Sequence, residues 1–141
     1  MSTAGFLVDT SAFIRLLIKP DVRARWLDQL DAGVLGICEL TELEILRIAR
    51  SSAHRGELIE SIGGSYRWVV MPDQIYDRAL NVQESLTYRG THKSAGAVDL
   101  LVAATAEAQG LTLLHYDRDF DCVAAVTGQS TRWLADPGSI D

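Results

Sequence analysis

Gly5-Phe6-Leu7-Val8-Asp9-Thr10-Ser11-Ala12-Phe13-Ile14-Arg15-Leu16-Leu17-Ile18 sets the fold. A short apolar run stops at an acid, two hydroxyl residues able to cap a helix follow, and a helix-compatible segment, Ala12 to Ile18, runs on to Pro20. This reads as strand, turn, helix, with Asp9 at the carboxyl end of the strand. A second stretch has the same form, since the apolar run Leu111 to His115 is followed at once by Tyr116 and Asp117.

Between and beyond these anchors, apolar spacing and turn residues predict a helix over Val22 to Leu30 and a strand over Val34 to Cys38. A helix over Leu40 to Arg50 and a strand over Trp68 to Met71 follow. Gln74 to Tyr88 reads as an amphipathic helix and Arg89 to Gly96 as an exposed basic loop. Val98 to Gln109 is a strongly apolar helix closed by Gly110. Arg118 to Val126 is expected as a short helix and Thr131 to Leu134 as a final edge strand. Strands alternating with helices at this spacing imply an α/β fold with a central, mainly parallel sheet and helices on both faces. In such sheets ligand sites lie beyond the carboxyl ends of the strands.

A length of 141 residues, 48% hydrophobic and 23% charged, suits one globular domain over residues 1–141 and excludes a disordered or fibrous chain. The greasiest stretch, Val98 to Leu114, is interrupted by Asp99, Glu107 and Gln109, so a soluble, cytoplasmic protein is expected. Cys38 and Cys122 lie far apart without metal-ligand spacing and read as small apolar side chains. A net charge of −6 argues against a general basic surface for nucleic acid. That objection weakens if the acids are gathered in one metal site.

Asp9 and Asp117 both follow strands, and parallel strands bring them to one edge. Asp99 opens an apolar helix, where a lone charge is out of place unless that end faces something positive. Glu44 lies in the helix after the Val34 to Cys38 strand, with Glu42 and Glu39 as competitors. Each acid also has a structural explanation: Asp9 as a helix cap, Asp99 as a first-turn acid favoured by the helix dipole, Glu44 as a solvated helix residue. Asp117, Asp119 and Asp121 equally serve as turn residues. Taken together, four carboxylates brought to one place repel each other unless a cation compensates, and Mg²⁺, an oxygen-seeking ion, suits them better than zinc.

The blocks Val8-Asp9-Thr10-Ser11-Ala12-Phe13, Glu44-Ile45-Leu46, Val98-Asp99-Leu100-Leu101-Val102-Ala103-Ala104 and His115-Tyr116-Asp117-Arg118-Asp119-Phe120 resemble the PIN-domain ribonucleases. Among these the chain looks most like the VapC-type toxins of bacterial toxin–antitoxin modules. The resemblance implies a three-layer α/β/α PIN-like fold and Mg²⁺-dependent endoribonuclease activity, with Mn²⁺ able to substitute. It also implies a VapB-type antitoxin partner and a homodimer. It makes Asp9, Glu44, Asp99 and Asp117 the acidic quartet, with Asp119 auxiliary and Thr10 or Ser11 donating a hydroxyl. Ile48 stands where the family often has Gly.

Candidate RNA contacts are Arg15, Arg47, Arg89, His92, Lys93 and Arg118, with Tyr116 as a surface on which an unpaired base could stack. Each also has an ordinary reading as solvated surface or, for Tyr116, as packed core. Two other functions fit the same pattern. One is an acid-cluster phosphotransfer domain with Asp9 as phosphoacceptor, and the other is a non-catalytic α/β binding module.

Overall fold

The computed structural model of the chain describes residues 5–141. Its first half contains β1 (Phe6–Val8), α1 (Thr10–Ile18), α2 (Pro20–Arg25), α3 (Leu27–Ala32), β2 (Leu35–Ile37), α4 (Glu39–Arg47), α5 (Ser52–Ser65) and β3 (Arg67–Trp68). The second half contains α6 (Ile75–Tyr88), α7 (Ala97–Ala108), β4 (Thr112–His115), α8 (Asp119–Thr127) and β5 (Thr131–Trp133). The strands form one sheet in the order β3-β2-β1-β4-β5, and every described pairing is parallel.

Side chains alternate across a strand, and here each face has its own core. Leu7 of β1 and Leu113 of β4, paired in register, point to the face covered by α6, α7 and α8. Their neighbours Val8 and Leu114 point to the other face, where Phe13, Leu16, Trp26, Ile45, Leu58 and Ile62 pack from α1, α4, α5 and the α2–α3 region. The result is the expected α/β/α sandwich. Space is closed at Gly36 of β2, where an added Cβ would stand 2.5 Å from the Val69 side chain and 3.3 Å from Arg67 O and Phe6 O.

Two expectations need correction, and one helix is additional to them. The single helix expected over Val22 to Leu30 is two, α2 and α3, broken at Trp26, whose φ of −108° and ψ of 10° leave the helical range. Trp26 is buried there, and its indole N–H donates to Leu134 O at 3.0 Å, a contact that outweighs helical continuity. The strand expected over Trp68 to Met71 is shorter and begins one residue earlier, at Arg67. Finally, α5 was not anticipated. Its sequence holds three glycines and buries only Leu58 and Ile62, so it carries little helical periodicity. Ser51 caps it, accepting a hydrogen bond from His54 N–H.

The strand order decides where a site can form. The chain builds outward from β1 to β2 and β3, then crosses to β4 on the other side of β1 and continues to β5. The direction of winding therefore reverses between β1 and β4, and their carboxyl ends flank the crevice that such a reversal opens. Asp9 follows β1, and its N–H donates to Leu114 O of β4 at 2.9 Å. Asp117 lies two residues beyond β4.

Candidate active site

Asp9 is the N-cap of α1 and is only 3% exposed. Its Oδ2 accepts from Ser11 N–H at 3.0 Å and from the Ser11 hydroxyl at 2.7 Å. Its Oδ1 is buried without a hydrogen-bond partner. The structural reading of Asp9 as a cap is thus correct, yet it accounts for one carboxylate oxygen and leaves the other unexplained. Burial pushes the Asp9 carboxyl above the usual range, against the Ser11 hydrogen bonds and with help from the nearby Glu44 charge.

Asp99 sits in the first turn of α7, half-buried. Its carboxyl is pushed up to about 6, first by burial and then by the charges of Asp9, Asp117 and Glu44, with a backbone hydrogen bond from Gly96 acting the other way. The four predicted acids therefore act on one another across one site. They come from the ends of β1 and β4 and from helices α4 and α7. Among the described residues, the charged groups that act most on Asp9 and Asp99 are all carboxylates.

Of the three competing glutamates on α4, Glu44 is the one turned toward this site. Its Oε1 accepts from the Thr10 hydroxyl at 2.7 Å, and its charge acts on both Asp9 and Asp99. Glu39 is exposed, and Glu42 is absent from the groups that perturb either aspartate. Thr10 and Ser11 divide the work: Thr10 holds Glu44, and Ser11 holds Asp9.

Asp117 lies just before α8, whose N-cap is Arg118. Asp117 Oδ1 accepts from Asp119 N–H at 2.9 Å, and Asp117 N–H donates to His115 Nδ1 at 3.2 Å. His115 is fully buried between Phe120 and Trp133, and burial lowers its pKa against the charges of Asp121 and Asp117. A neutral ring accepting at Nδ1 carries its proton on Nε2, which is buried without a partner. His115 is thus a support for the Asp117 turn. Asp119 lies beside Asp117, and its carboxyl is raised by slight burial, by the Asp117 charge and by a hydrogen bond between the two.

The basic candidates divide by environment. Arg47 on the last turn of α4, Arg118 at the start of α8, and Arg89, His92 and Lys93 around the 89–96 loop are exposed. Arg15 and Tyr116 instead engage each other. The Arg15 guanidinium lies 4.6 Å from the Tyr116 ring centroid, donates to Ser11 O at 2.9 Å and pairs with Asp141 at 3.1 Å. Tyr116 meets Trp133 edge-on at 5.4 Å, and its hydroxyl accepts from Ile140 N–H at 3.1 Å.

Sequence reasoning missed the last of these contacts. Asp136-Pro137-Gly138-Ser139 is a turn closed by a bond of 2.9 Å from Ser139 N–H to Asp136 O, with Gly138 at φ 77°. Pro followed by Gly is the sequence signature of such a turn, and Gly supplies the positive φ that its third position requires. That signal was there to be read.

The raised carboxyls have a measurable consequence. Below about pH 4, folded and unfolded chains are both protonated at Asp99; between there and about pH 6 the folded chain keeps a proton that the unfolded chain releases. Stability from this group is therefore present at low pH and lost as pH rises through 6, and Asp9 acts in the same direction. In buffer stripped of divalent cations, the melting temperature of the protein relative to that of Asp99→Asn should fall between pH 5 and pH 7.5. A constant difference across that range would show that the two carboxyls do not share an uncompensated site.

Among the described residues no group of three or more His, Cys, Asp and Glu side chains is placed so that together they could hold a metal ion. No described helix is long and apolar enough to cross a membrane.

Comparison with known proteins gives a consistent result. A family model described as PIN domain matches residues 6–126. Ribonuclease VapC21 of Mycobacterium tuberculosis is 38% identical over 142 residues, covering 97% of this chain and 99% of the relative. Ribonuclease VapC2 of the same organism is 40% identical over 139 residues, covering 95% of each. Among solved structures, a DNA-bound VapBC from Salmonella typhimurium superposes with a TM-score of 0.74 at 19% identity, covering 94% of this chain and 100% of that one.

Proposed function

Because the chain belongs to the PIN-domain family, we propose that it is a VapC-type, Mg²⁺-dependent endoribonuclease, the toxic component of a toxin–antitoxin module, with Mn²⁺ able to replace Mg²⁺. The observation that carries the metal-dependent reading is Asp9 Oδ1, a buried carboxylate oxygen with no partner, beside Asp99, whose pKa is raised by burial and by the carboxylates around it. A divalent cation answers both. Mg²⁺ is usually held by one or two carboxylates together with water and substrate phosphate, so an all-protein cage is not required.

In this reading one or two of Asp9, Asp99, Asp117 and Glu44 would hold the ion directly and the others through its waters, with Asp119 auxiliary. When bound, Mg²⁺ supplies positive charge for the phosphate and acidity for the attacking water. The chain's own residues set the geometry. Ser11 fixes Asp9 by its Oδ2, Thr10 fixes Glu44, and the Asp119 N–H with His115 fixes the turn that carries Asp117. The water oxygen bonds to phosphorus as the bond from phosphorus to the 3′ oxygen breaks, leaving a 3′-hydroxyl and a 5′-phosphate. The exposed cations Arg47, Lys93 and Arg118 are the candidates for holding the RNA backbone.

A phosphoacceptor role for Asp9 gains no support from its surroundings, because the side chain is 3% exposed and one oxygen is already bonded twice to Ser11. The VapBC complexes among the structural relatives support a VapB-type antitoxin as partner. A homodimer is proposed from the family resemblance.

Purified protein should cut RNA with Mg²⁺ or Mn²⁺ and stop on addition of EDTA. Either ion at 100 times its dissociation constant should stabilise the fold by about 2.7 kcal/mol, read as a thermal shift. RNA cutting that persists in EDTA would remove the metal from the mechanism, and an absent shift would count against the site.

A further inference from the structure

Beyond the turn at Asp136–Ser139, the chain does something that the carboxylate chemistry does not use. Ile140 is 8% exposed and packs into the core that contains Val8 and Leu114, the residues that precede Asp9 and His115. Its N–H donates to the Tyr116 hydroxyl at 3.1 Å, and the next residue, Asp141, pairs with Arg15 at 3.1 Å. Arg15 lies over the Tyr116 ring and donates to Ser11 O at 2.9 Å. From the other end of the same tyrosine, Tyr116 N–H donates to Ser11 Oγ at 2.9 Å, and that hydroxyl donates its proton to Asp9 Oδ2 at 2.7 Å. Two routes, through Arg15 to the Ser11 carbonyl and through Tyr116 to the Ser11 hydroxyl, therefore run from residues 140 and 141 to Ser11, which bonds Asp9 Oδ2, the oxygen opposite the unpartnered Oδ1.

We propose that residues 136–141 form a positioning strap for the carboxylate site: by holding Arg15 and Tyr116 they fix Ser11 on Asp9 Oδ2 and so fix the orientation in which Asp9 Oδ1 is left for the metal. Arg15 and Tyr116, which the sequence offers as RNA contacts, serve as positioning residues in this scheme. The chemistry of the ring supports that assignment. The Ser11 hydroxyl has one proton, and with Tyr116 N–H donating to its oxygen, that proton goes to Asp9. Without the Tyr116 contact the hydroxyl is free to turn, and Asp9 keeps only the Ser11 N–H of the two bonds that fix its Oδ2. Without Asp141, Arg15 keeps Ser11 O but loses the partner that holds its guanidinium over the ring. Groups one bond behind a metal ligand orient it, and their loss typically weakens metal affinity or activity by about 10- to 100-fold.

This inference rests on the metal-dependent reading, and one experiment separates the two. Mn²⁺ is titrated into the full chain, with free ion followed by electron paramagnetic resonance, and RNA cleavage is measured in parallel at saturating Mn²⁺. Asp141→Ala and Tyr116→Phe, which act on Asp9 only through Ser11, should each weaken Mn²⁺ binding by about threefold, short of the roughly 10-fold expected for a group bonded to the ligand itself, while KM for RNA stays within about twofold, and Asp141→Glu should restore most of the affinity. Val123→Ala, which trims a fully buried side chain of α8, serves as the control for general loosening of the fold. Unchanged Mn²⁺ affinity with a raised KM in the Asp141 and Tyr116 variants would overturn the strap and return Arg15 and Tyr116 to direct RNA binding. Equal weakening in Val123→Ala would overturn it in favour of plain packing. No Mn²⁺ binding by the unsubstituted protein would remove the metal site itself and the strap with it.

Discussion

Asp99→Asn is expected to abolish RNA cleavage while raising the melting temperature of the metal-free protein. Loss of a group that merely orients a metal ligand costs about 10- to 100-fold, so removing the carboxylate itself should cost at least about 100-fold in single-turnover rate. The stability effect has the opposite sign. Asp99 carries burial and the charges of Asp9, Asp117 and Glu44, and an amide of nearly the same shape relieves all of these. Scanning calorimetry at pH 7.5 in EDTA would read the change, since about 1 kcal/mol moves a domain of this size by roughly 3 °C. A variant that cuts normally would remove Asp99 from the chemistry. One that is inactive but less stable would show that the carboxylate had a favourable partner in the fold.

Phe120→Ala should produce the largest loss of stability, about 3–5 kcal/mol, as expected for emptying the volume of a fully buried aromatic ring. Phe120 lies in the first turn of α8 and packs at 5.1 Å against His115, the ring that receives Asp117 N–H. The cavity would therefore open under the turn that carries one site acid. Urea unfolding should show a much lower midpoint, and a total stability of about 5–15 kcal/mol leaves little margin for such a loss. A drop below about 1 kcal/mol would mean that neighbouring side chains collapse into the space.

How much of this was legible in the sequence depends on how local each signal is. The strand, acid and capping residues at Phe6 to Ser11 sit side by side in the chain, so the end of β1 and the capping role of Asp9 could both be read. The same holds for β4 and Asp117. Parallel pairing then brings the two together without further information. Glu44 was a harder choice because three glutamates share the first two turns of α4, and only the Thr10 hydroxyl, 34 residues away, distinguishes one of them. The break at Trp26 is likewise set by a distant acceptor, Leu134 O. Helix α5 escaped because Gly56, Gly63 and Gly64 lower its helical preference and tertiary packing of Leu58 and Ile62 supplies what propensity does not. The partners of Arg15 and Tyr116 lie in residues 140 and 141, and no local pattern around either residue announces them.

The two cores lie on opposite faces of the sheet, and the carboxylates are distributed across that boundary: α4 packs largely with the β1–α1 side, and α7 with the side of α6 and α8. Neither layer contains the quartet alone. A chain with one layer assembled and the other still open, as when it is newly made or partly unfolded, would present scattered acids and no centre able to cut. The four carboxylates therefore come together only when both layers have closed on the sheet.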